Sequence, residues 1–452
     1  MLIEFSVKNY HSFWESQTLS MAAGATKDLQ EENTFDASVK GLPRLLRSSV
    51  IYGANGAGKS NLIKALAFMQ EFVSSSSNQS QAGKPIARKP FLLHPDGATE
   101  ASEFEVFFLQ EGVRYQYGFS VTRERVTQEW LFAYPSSRAQ RWFERSYNPE
   151  TEEDEWYFGS KFSGQKKTWQ ENTRSNALFL STAVQLNSEQ LKPVFAWFQQ
   201  LVVIGHGEQL GNEFTAEGCE NEENCARILR LLQGAGIEVD EIQVKEKKID
   251  HLNLPADMPD ELRKALQKDL LGKTVKEVFF KHNVKETGAS CLLPLKEESD
   301  GTQKLFSYAA PWLDVLQNGL VLVIDELDNS FHPNMVRFLL SLIHDSVSNK
   351  QNGQLIFSTH DTSILDAKIL RRDQIWFMEK DEEQATQLYP LSDFHPRKKE
   401  ALEKGYLQGR FGALPYIGEV HLGDLAVQLF GADAGVELKL PQHAPHEALE
   451  LN

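Results

Sequence analysis

The residues whose types and spacing best suit chemistry form a glycine-rich run, Gly53-Ala54-Asn55-Gly56-Ala57-Gly58-Lys59-Ser60. This run fits the phosphate-loop pattern, in which glycines let backbone N–H groups turn inward around phosphate oxygens. Lys59 would reach the β- and γ-phosphates, Ser60 would ligate Mg²⁺, and the dipole of the following helix would favour anions. We therefore predict a site for ATP and Mg²⁺ that extends from Gly53 to Asn61.

Two carboxylates, Asp325 and Glu326, follow directly after the apolar run Val321–Ile324. A continuous apolar run of this kind is typical of a buried parallel strand. Asp325 would act on Mg²⁺, directly or through water, and Glu326 would polarise the attacking water as a general base. Alone, the pair could equally be a helix cap or solvated loop acids, but the phosphate loop favours the catalytic interpretation.

A second apolar run, Leu355–Ser358, ends in Thr359-His360. A single histidine after a strand is most often structural. This one follows the strand that comes next after the acidic pair, where a neutral imidazole could hydrogen-bond the γ-phosphate or its attacking water. We therefore predict three catalytic residues, Lys59, Glu326 and His360.

Strands and helices at both ends of the chain would position these residues. The short apolar run Ser49–Tyr52 precedes the phosphate loop, and apolar residues recur at helical spacing over 60–73. The alternation over 104–119 predicts a β-hairpin, and a helix is predicted at Thr302–Gln317 with a kink or break at Pro311. Strands that alternate with helices at both ends predict the α/β class, with one sheet assembled from both ends and an insertion between them.

The composition limits the classes of function. Of the 452 residues, 41% are apolar and 24% charged, which is ordinary for a globular protein. The formal net charge of −16 argues against a protein that coats nucleic acid with its whole surface, although a local basic groove stays open. The three cysteines form no CxxC pair, which excludes a disulfide scaffold and disfavours a cysteine-based zinc site. The sequence shows neither a signal peptide nor a run of about 18 apolar residues, so we expect a cytoplasmic protein without a membrane partner.

Together these motifs resemble the ABC-type ATPases of the branch that includes SMC proteins, RecF-like proteins and the OLD nucleases. Ser299-Asp300-Gly301-Thr302-Gln303 resembles the signature of that family, with Asp300 in place of the usual first glycine. The resemblance implies two subunits that sandwich two ATP molecules head to tail, with Ser299 and Gly301 contacting the ATP bound by the other subunit. Leu327–Pro333 resembles the D-loop region, which includes Asp328 and Asn329.

Two further motifs bring the resemblance closer. Asn9-Tyr10-His11-Ser12-Phe13 is similar to a nucleotide-proximal motif usually written Asn-Phe-Arg-Ser-Phe, and Tyr406–Pro415 is similar to a closing motif. With the Ser-Asp-Gly-Thr signature, they resemble the bacterial AAA-labelled ATPases related to RloC. Relatives are the ATPase components of two-gene phage-defence systems: Septu (PtuA-like), PARIS, retron-linked ATPases and abortive-infection modules paired with RloB-like proteins. The similarity covers about 1–120 and 276–417, and residues 89–93 are the candidate Q-loop.

The predicted organisation has five parts. Residues 1–74 form the N-terminal ATPase part with the phosphate loop, and 75–125 an antiparallel β part. Residues 126–275 form a mixed insertion for sensing or docking. Residues 276–417 carry the signature, the acidic pair and the switch histidine, and 418–452 form a tail.

Several kinds of ATPase carry such motifs. A long, half-β insertion disfavours a transporter ATPase, and the lack of a long heptad run disfavours an SMC-type machine. The residues after His360 lack two convincing strand-end acids, so nuclease activity in this chain is not expected. The favoured interpretation is the ATPase subunit of an anti-phage defence or toxin–antitoxin-like system. It would act as an ATP-dependent homodimer or higher oligomer that senses infection and holds or releases a separate effector, a nuclease or toxin. The alternative is a RecF- or SMC-like DNA-repair ATPase.

Basic and aromatic residues in the insertion leave nucleic-acid binding open. Each basic cluster could line a groove, but solvated faces that balance nearby acids are the commoner role of such residues. The aromatic side chains are more often core than base-stacking platforms. The basic clusters are Arg138, Arg141 and Arg145; Lys161, Lys166 and Lys167; Lys245, Lys247 and Lys248; and, outside the insertion, Arg397–Lys399; the aromatic residues are Trp142, Trp156, Trp169, Trp197 and Phe198.

Overall fold

The computed structural model describes residues 1–78, 81–136, 138–205, 211–249, 258–284, 289–396 and 401–414, with the backbone alone at 265–267, 269 and 270. The strands are β1 (Leu2–Lys8), β2 (Gln17–Ser20), β3 (Thr34–Phe35), β4 (Leu45–Leu46), β5 (Ser48–Gly53), β6 (Ser102–Gln110), β7 (Val113–Val121), β8 (Val126–Tyr134), β9 (Gln140–Asn148), β10 (Glu153–Phe158), β11 (Leu201–Ile204), β12 (Glu241–Lys248), β13 (Thr274–Asn283), β14 (Ser290–Pro294), β15 (Val321–Ile324), β16 (Gln354–Ser358), β17 (Ile375–Lys380) and β18 (Thr386–Pro390). The α-helices are α1 (Gln30–Asn33), α2 (Lys59–Ser75), α3 (Lys166–Asn172), α4 (Phe179–Gln185), α5 (Lys192–Gln200), α6 (Asn212–Gly218), α7 (Glu222–Gly234), α8 (Asp260–Leu270), α9 (Asp300–Asn318), α10 (Pro333–His344) and α11 (Leu402–Leu407). None of these described helices is long and apolar enough to cross a membrane.

A six-stranded sheet in the order β11-β15-β16-β5-β17-β18 carries the predicted site. Its first five strands are parallel, and β18 pairs antiparallel with β17. The side chains of β5 and β15 are buried throughout, which explains why both read as continuous apolar runs. The predicted α/β class and the sheet assembled from both ends of the chain are confirmed.

A seven-stranded antiparallel sheet in the order β10-β9-β8-β7-β6-β1-β2 lies against α2, α4 and α5. The hairpin predicted at 104–119 is its β6–β7 pair. The sheet runs on through β10 to Phe158, so the structure has no break at the predicted boundary after residue 125. The physical reason is that β8 continues the same ladder, with Tyr117 paired to Leu131. Trp142, Trp169, Trp197 and Phe198 are buried in this core.

The predicted insertion also contributes to the six-stranded sheet. Its strand β11 forms the edge of that sheet and pairs in parallel with β15, Leu201 opposite Val321. Beyond β11, helices α6 and α7 and the three-stranded sheet β12-β13-β14 pack against α9. The second apolar core therefore joins residues from the predicted insertion to residues that follow the signature.

Helix α9 runs without interruption through Pro311, where a kink or break was predicted. Proline lacks the N–H that would reach the carbonyl of Ser307, four residues earlier. The hydroxyl of Thr215 on α6 lies 3.2 Å from that carbonyl oxygen and donates to it. Thr215 is fully buried, so this hydrogen bond satisfies a carbonyl that water cannot reach.

Replacing Thr215 with valine tests whether its hydroxyl takes the place of the backbone N–H that Pro311 lacks. The Ser307 carbonyl would be left buried without a partner, and we expect the free energy of unfolding to fall by about 2 kcal/mol. The change Pro311→Ala restores a backbone N–H, so the double variant T215V/P311A should recover most of the loss. Urea denaturation of the four proteins measures the coupling. If the free energy of unfolding of the double variant fell by the sum of the two single losses, Thr215 would not be replacing the missing N–H of Pro311.

Candidate nucleotide-binding site

The phosphate loop connects β5 to α2 with two glycines in left-handed backbone conformations. Gly56 has φ +81° and Gly58 has φ +114°. A Cβ atom built at Gly58 would lie 2.3 Å from Oγ1 of Thr386, so only glycine fits there. Helix α2 begins at Lys59 with no side-chain cap, so no capping side chain occupies its first N–H groups. This arrangement suits an anion.

Lys59 is buried, and its Nζ donates to the carbonyl oxygens of Gly53 at 2.8 Å and Ala54 at 3.3 Å. Burial lowers its pKa, and the negative charges of Asp325, Glu326 and Asp328 act in the opposite direction. The predicted lysine and the predicted acids, far apart in sequence, are thus close enough to interact.

The hydroxyl of Ser358 holds the two predicted acids together. It donates to Oδ1 of Asp325 at 2.5 Å and accepts the backbone N–H of Glu326 at 2.8 Å. The side chain of Asp325 is only 6% exposed, and its Oδ2 is buried with no hydrogen-bond partner in the described part of the chain. A buried carboxylate oxygen in this state fits a metal ion or a metal-bound water, the role predicted for Asp325 with Ser60.

Glu326, His360 and Asp328 meet at the same edge of the sheet. Nε2 of His360 lies 3.9 Å from Oε1 of Glu326, and the backbone N–H of His360 donates to Oδ2 of Asp328 at 3.2 Å. Glu326 has φ +53°, a conformation that costs energy for a non-glycine residue and is concentrated at functional sites. The structure therefore places the predicted base beside the predicted histidine.

The signature residues begin α9 at a separate, solvent-facing position. Ser299 and Asp300 are exposed, and the Ser299 hydroxyl caps the helix by accepting the N–H of Thr302 at 3.2 Å. The hydrogen bonds of this hydroxyl within the described residues are with Thr302 alone, and none is with its own phosphate loop. Gln303 donates from Nε2 to the carbonyl of Glu298 at 2.8 Å.

The D-loop region packs directly on this helix. A Cβ atom built at Gly301 would lie 3.0 Å from the carbonyl oxygen of Ser330. Nζ of Lys304 donates to the carbonyl of Asn329 at 2.5 Å and lies over the ring of Phe331. Burial lowers the pKa of Lys304, while Asp328 and Glu326 oppose that shift. Lys304 therefore connects the signature helix to the acids.

The segment Asn9–Phe13 makes hydrogen bonds to a loop further along the chain. The amide of Asn9 donates to the carbonyls of Gly97 and Glu100, and its oxygen accepts the N–H of Phe91. These bonds hold the loop that contains the candidate Q-loop, residues 89–93. Burial, with Lys89 and Lys64, lowers the pKa of His11 to about 4. His11 is therefore neutral at neutral pH and cannot supply the positive charge of the family's arginine.

Thr386 was missed by the sequence analysis. At the start of β18, its hydroxyl donates to the carbonyl of Ala57 at 2.8 Å and lies 2.8 Å from Oγ of Ser12. Oγ of Ser12 also accepts from the amide of Asn61 at 2.8 Å. A threonine at the start of a strand is ordinary β-sheet composition, so no local pattern marks it.

The closing motif packs beneath the loop that follows His360. The ring centroids of Tyr406 and Tyr52 are 5.6 Å apart, and Tyr52 donates to the carbonyl of Asp361. Oγ1 of Thr362 donates to Glu403 of α11 at 2.8 Å. The last residue of the motif, Pro415, and the predicted tail 418–452 lie outside the described residues.

Many of the basic residues in the proposed clusters have structural partners. Arg145 is fully buried and pairs with Asp154, and Arg141 pairs with Glu144. The remaining contacts are Lys166 over Phe162, Lys167 with Glu171, Lys245 over Phe279 and Lys247 with Glu277. Arg397–Lys399 lies outside the described residues.

A protein-family model described as "AAA domain, putative AbiEii toxin, Type IV TA system" matches residues 48–194 and 239–366, more than half of the chain. The matched ranges contain the phosphate loop, the signature, the acidic pair and His360. Among solved structures 89 chains match, including the SMC head domain from Thermotoga maritima. That domain is 13% identical, with a TM-score of 0.39, over 86% of this chain and 98% of the other. No curated protein matches the sequence.

Replacing Thr386 with valine removes the hydroxyl that holds the phosphate loop while keeping the side chain's shape. The carbonyl of Ala57 would lose its donor, and we expect the affinity for ATP to fall by about tenfold. Titration with a fluorescent ATP analogue measures this. Thr18→Val is the matched control, because its hydroxyl bonds only Ser6 on an exposed face. Equal affinities in the two variants would contradict the role of Thr386.

Proposed function

We propose, from the premise that this chain belongs to the P-loop ATPase family described as "AAA domain, putative AbiEii toxin, Type IV TA system", that it binds and hydrolyses ATP as an ABC-type ATPase subunit. The observation that carries this proposal is the Asp325–Ser358–Glu326 unit, whose free buried carboxylate oxygen lies near Lys59.

Each residue of the site has a role in this proposal. The loop N–H groups would bind phosphate oxygens, and Lys59 would exchange its two carbonyl partners for them. Ser60 and Asp325 would hold Mg²⁺, which would supply positive charge at the phosphates. Glu326 would accept a proton from the attacking water, and His360 would orient that water.

We further propose that the active assembly is a homodimer, or a higher oligomer built from it, with ATP between subunits. The exposed Ser299 at the N-terminus of α9 supports this, because it is directed at solvent and not at its own phosphate loop. Placed against a second subunit, the capped helix terminus could contact the phosphates bound there. The D-loop residues Asp328 and Asn329 would then lie between the two sites.

The biological role that we propose is defence against phage, or a related toxin–antitoxin function. The family description names a toxin system, and the closing and signature motifs resemble those of two-gene defence ATPases. In this role the chain would sense infection and hold or release a separate effector, a nuclease or toxin. ATP binding would set the state of the assembly.

The change Glu326→Gln should lower ATP hydrolysis by at least about a hundredfold and leave ATP binding intact, because a general base contributes that much to rate. Lys59→Ala should abolish binding. Phosphate release and ATP titration separate these effects, with the exposed Glu382→Gln as control. Unchanged hydrolysis in Glu326→Gln would refute the role of Glu326.

The change Ser299→Arg should block the ATP-dependent dimer and leave ATP binding by the monomer unchanged. An arginine at that exposed position would collide with the facing subunit. Native mass spectrometry of the Glu326→Gln protein, with and without this second change, measures dimer formation. Ser346→Arg, exposed at the opposite edge of the sheet, is the control. Dimerisation of both double variants to the same extent would exclude the sandwich.

A stoichiometric partner protein should co-purify with the Glu326→Gln variant when it is expressed with its neighbouring genes and kept in ATP and Mg²⁺. Mass spectrometry would identify the partner, and Lys59→Ala should lose it. Recovery of DNA without a protein partner would contradict the effector proposal and favour the DNA-repair alternative.

A further inference from the structure

His282 of β13 has both ring nitrogens within hydrogen-bond distance of oxygen atoms. Nδ1 lies 2.7 Å from the backbone carbonyl oxygen of Glu238, and Nε2 lies 2.8 Å from Oε1 of Glu298. The side chains of His282 and Glu298 are 27% and 14% exposed, so solvent reaches this contact only in part. Neither residue belongs to the site described above.

The imidazole joins three parts of the chain. His282 lies on the middle strand of the β12-β13-β14 sheet, and Glu238 lies between α7 and β12. Glu298 directly precedes Ser299, and its carbonyl accepts the amide of Gln303. The turn before the signature is therefore held at Glu298 by two contacts. Gln303 of α9 bonds its backbone carbonyl, and His282 of β13 bonds its carboxylate.

The chemistry of the two acceptors restricts the state of the ring. A carbonyl oxygen and a carboxylate oxygen accept hydrogen bonds, while a neutral imidazole can donate only one. Both contacts are satisfied together only when both nitrogens carry protons. An imidazolium beside the Glu298 carboxylate also forms an ion pair of the stronger, charge-assisted kind.

The charged neighbours of His282 along β13 and next to β12 are Lys281 and Asp240. On β13, Lys281 points to the opposite face and pairs with Glu241 of β12 at 2.9 Å. Asp240 donates its backbone N–H to the carbonyl of Lys281. On β14, the ladder partner of His282 is Cys291. Glu298 is thus the carboxylate that contacts the ring.

We propose that His282 is a positioning residue for the signature, and that it holds Ser299 in place fully only when its imidazole is doubly protonated. Loss of either ring proton removes one donor, so the signature turn loosens and ATP-dependent dimerisation weakens. We call the two contacts of the His282 ring, with Glu238 and with Glu298, the clamp. The effect on dimerisation rests on the proposed ATP sandwich, whereas the clamp does not.

Two substitutions separate the proton from the hydrogen bonds. In Glu298→Gln the amide can donate to Nε2, so a neutral imidazole satisfies both contacts and no second proton is needed. This variant should dimerise at every pH as the parent does at low pH. His282→Phe keeps a ring of similar size but loses both contacts, and its dimerisation should be weak throughout.

The test uses the full chain carrying Glu326→Gln and compares dimer dissociation constants in ATP and Mg²⁺ between about pH 5.5 and 8.5, where histidines titrate. The parent should weaken by about tenfold or more over this range, the effect of losing a charged hydrogen bond. The profile with Glu298→Gln should lack this loss. Any pH dependence of dimerisation that comes from His360 or from ATP is the same in all variants and cancels when they are compared.

Hydrogen exchange of residues 295–303 in the monomer tests the clamp without ATP. After correction for intrinsic rates, protection should fall with rising pH in the parent, stay constant in Glu298→Gln and be lowest in His282→Phe. Equal protection in the parent and His282→Phe would overturn the clamp, whatever the dimer does. A parent that never dimerises, but shows the expected exchange, would refute the ATP sandwich and leave the clamp standing.

Discussion

The hydroxyl of Ser358 is the contact on which the arrangement of the site depends. It orients the carboxylate of Asp325 and anchors the backbone of Glu326. This contact is available because β16 lies between β15 and β5, and the carboxyl ends of parallel strands meet at one edge. The same topology brings Lys59, at the start of α2 after the phosphate loop, within electrostatic range of the acids.

Helix α9 is supported along its length by residues from distant parts of the chain. Thr215 supplies the donor that Pro311 lacks, Lys304 joins the helix to the D-loop, and His282 holds the turn before it. The helix therefore has fixed contacts both at its start and in its middle.

Much of the site could be predicted because its main residues stand in local patterns. The phosphate loop, the acidic pair and His360 each follow an apolar strand, and the parallel order of those strands brings them together. Ser358, Thr386 and His282 could not be predicted, because their partners lie far away in the sequence and a serine, threonine or histidine in a strand is unremarkable in composition. The helix is not broken at Pro311, and the hydroxyl that replaces the missing N–H could not be predicted because Thr215 lies on another helix. The boundary at residue 125 also failed to mark a structural break, because the strands on either side share one ladder.

Strand β11 has a consequence for how the middle of this protein could be exchanged. It falls between the two stretches that the family model matches, yet its last residue, Ile204, accepts the backbone N–H of Asp325 at 2.9 Å. The middle of the chain is therefore not a separate structural unit that could be exchanged between homologues at its outer boundaries alone. A chimera that exchanges the middle of the chain would have to preserve the pairing of β11 with β15.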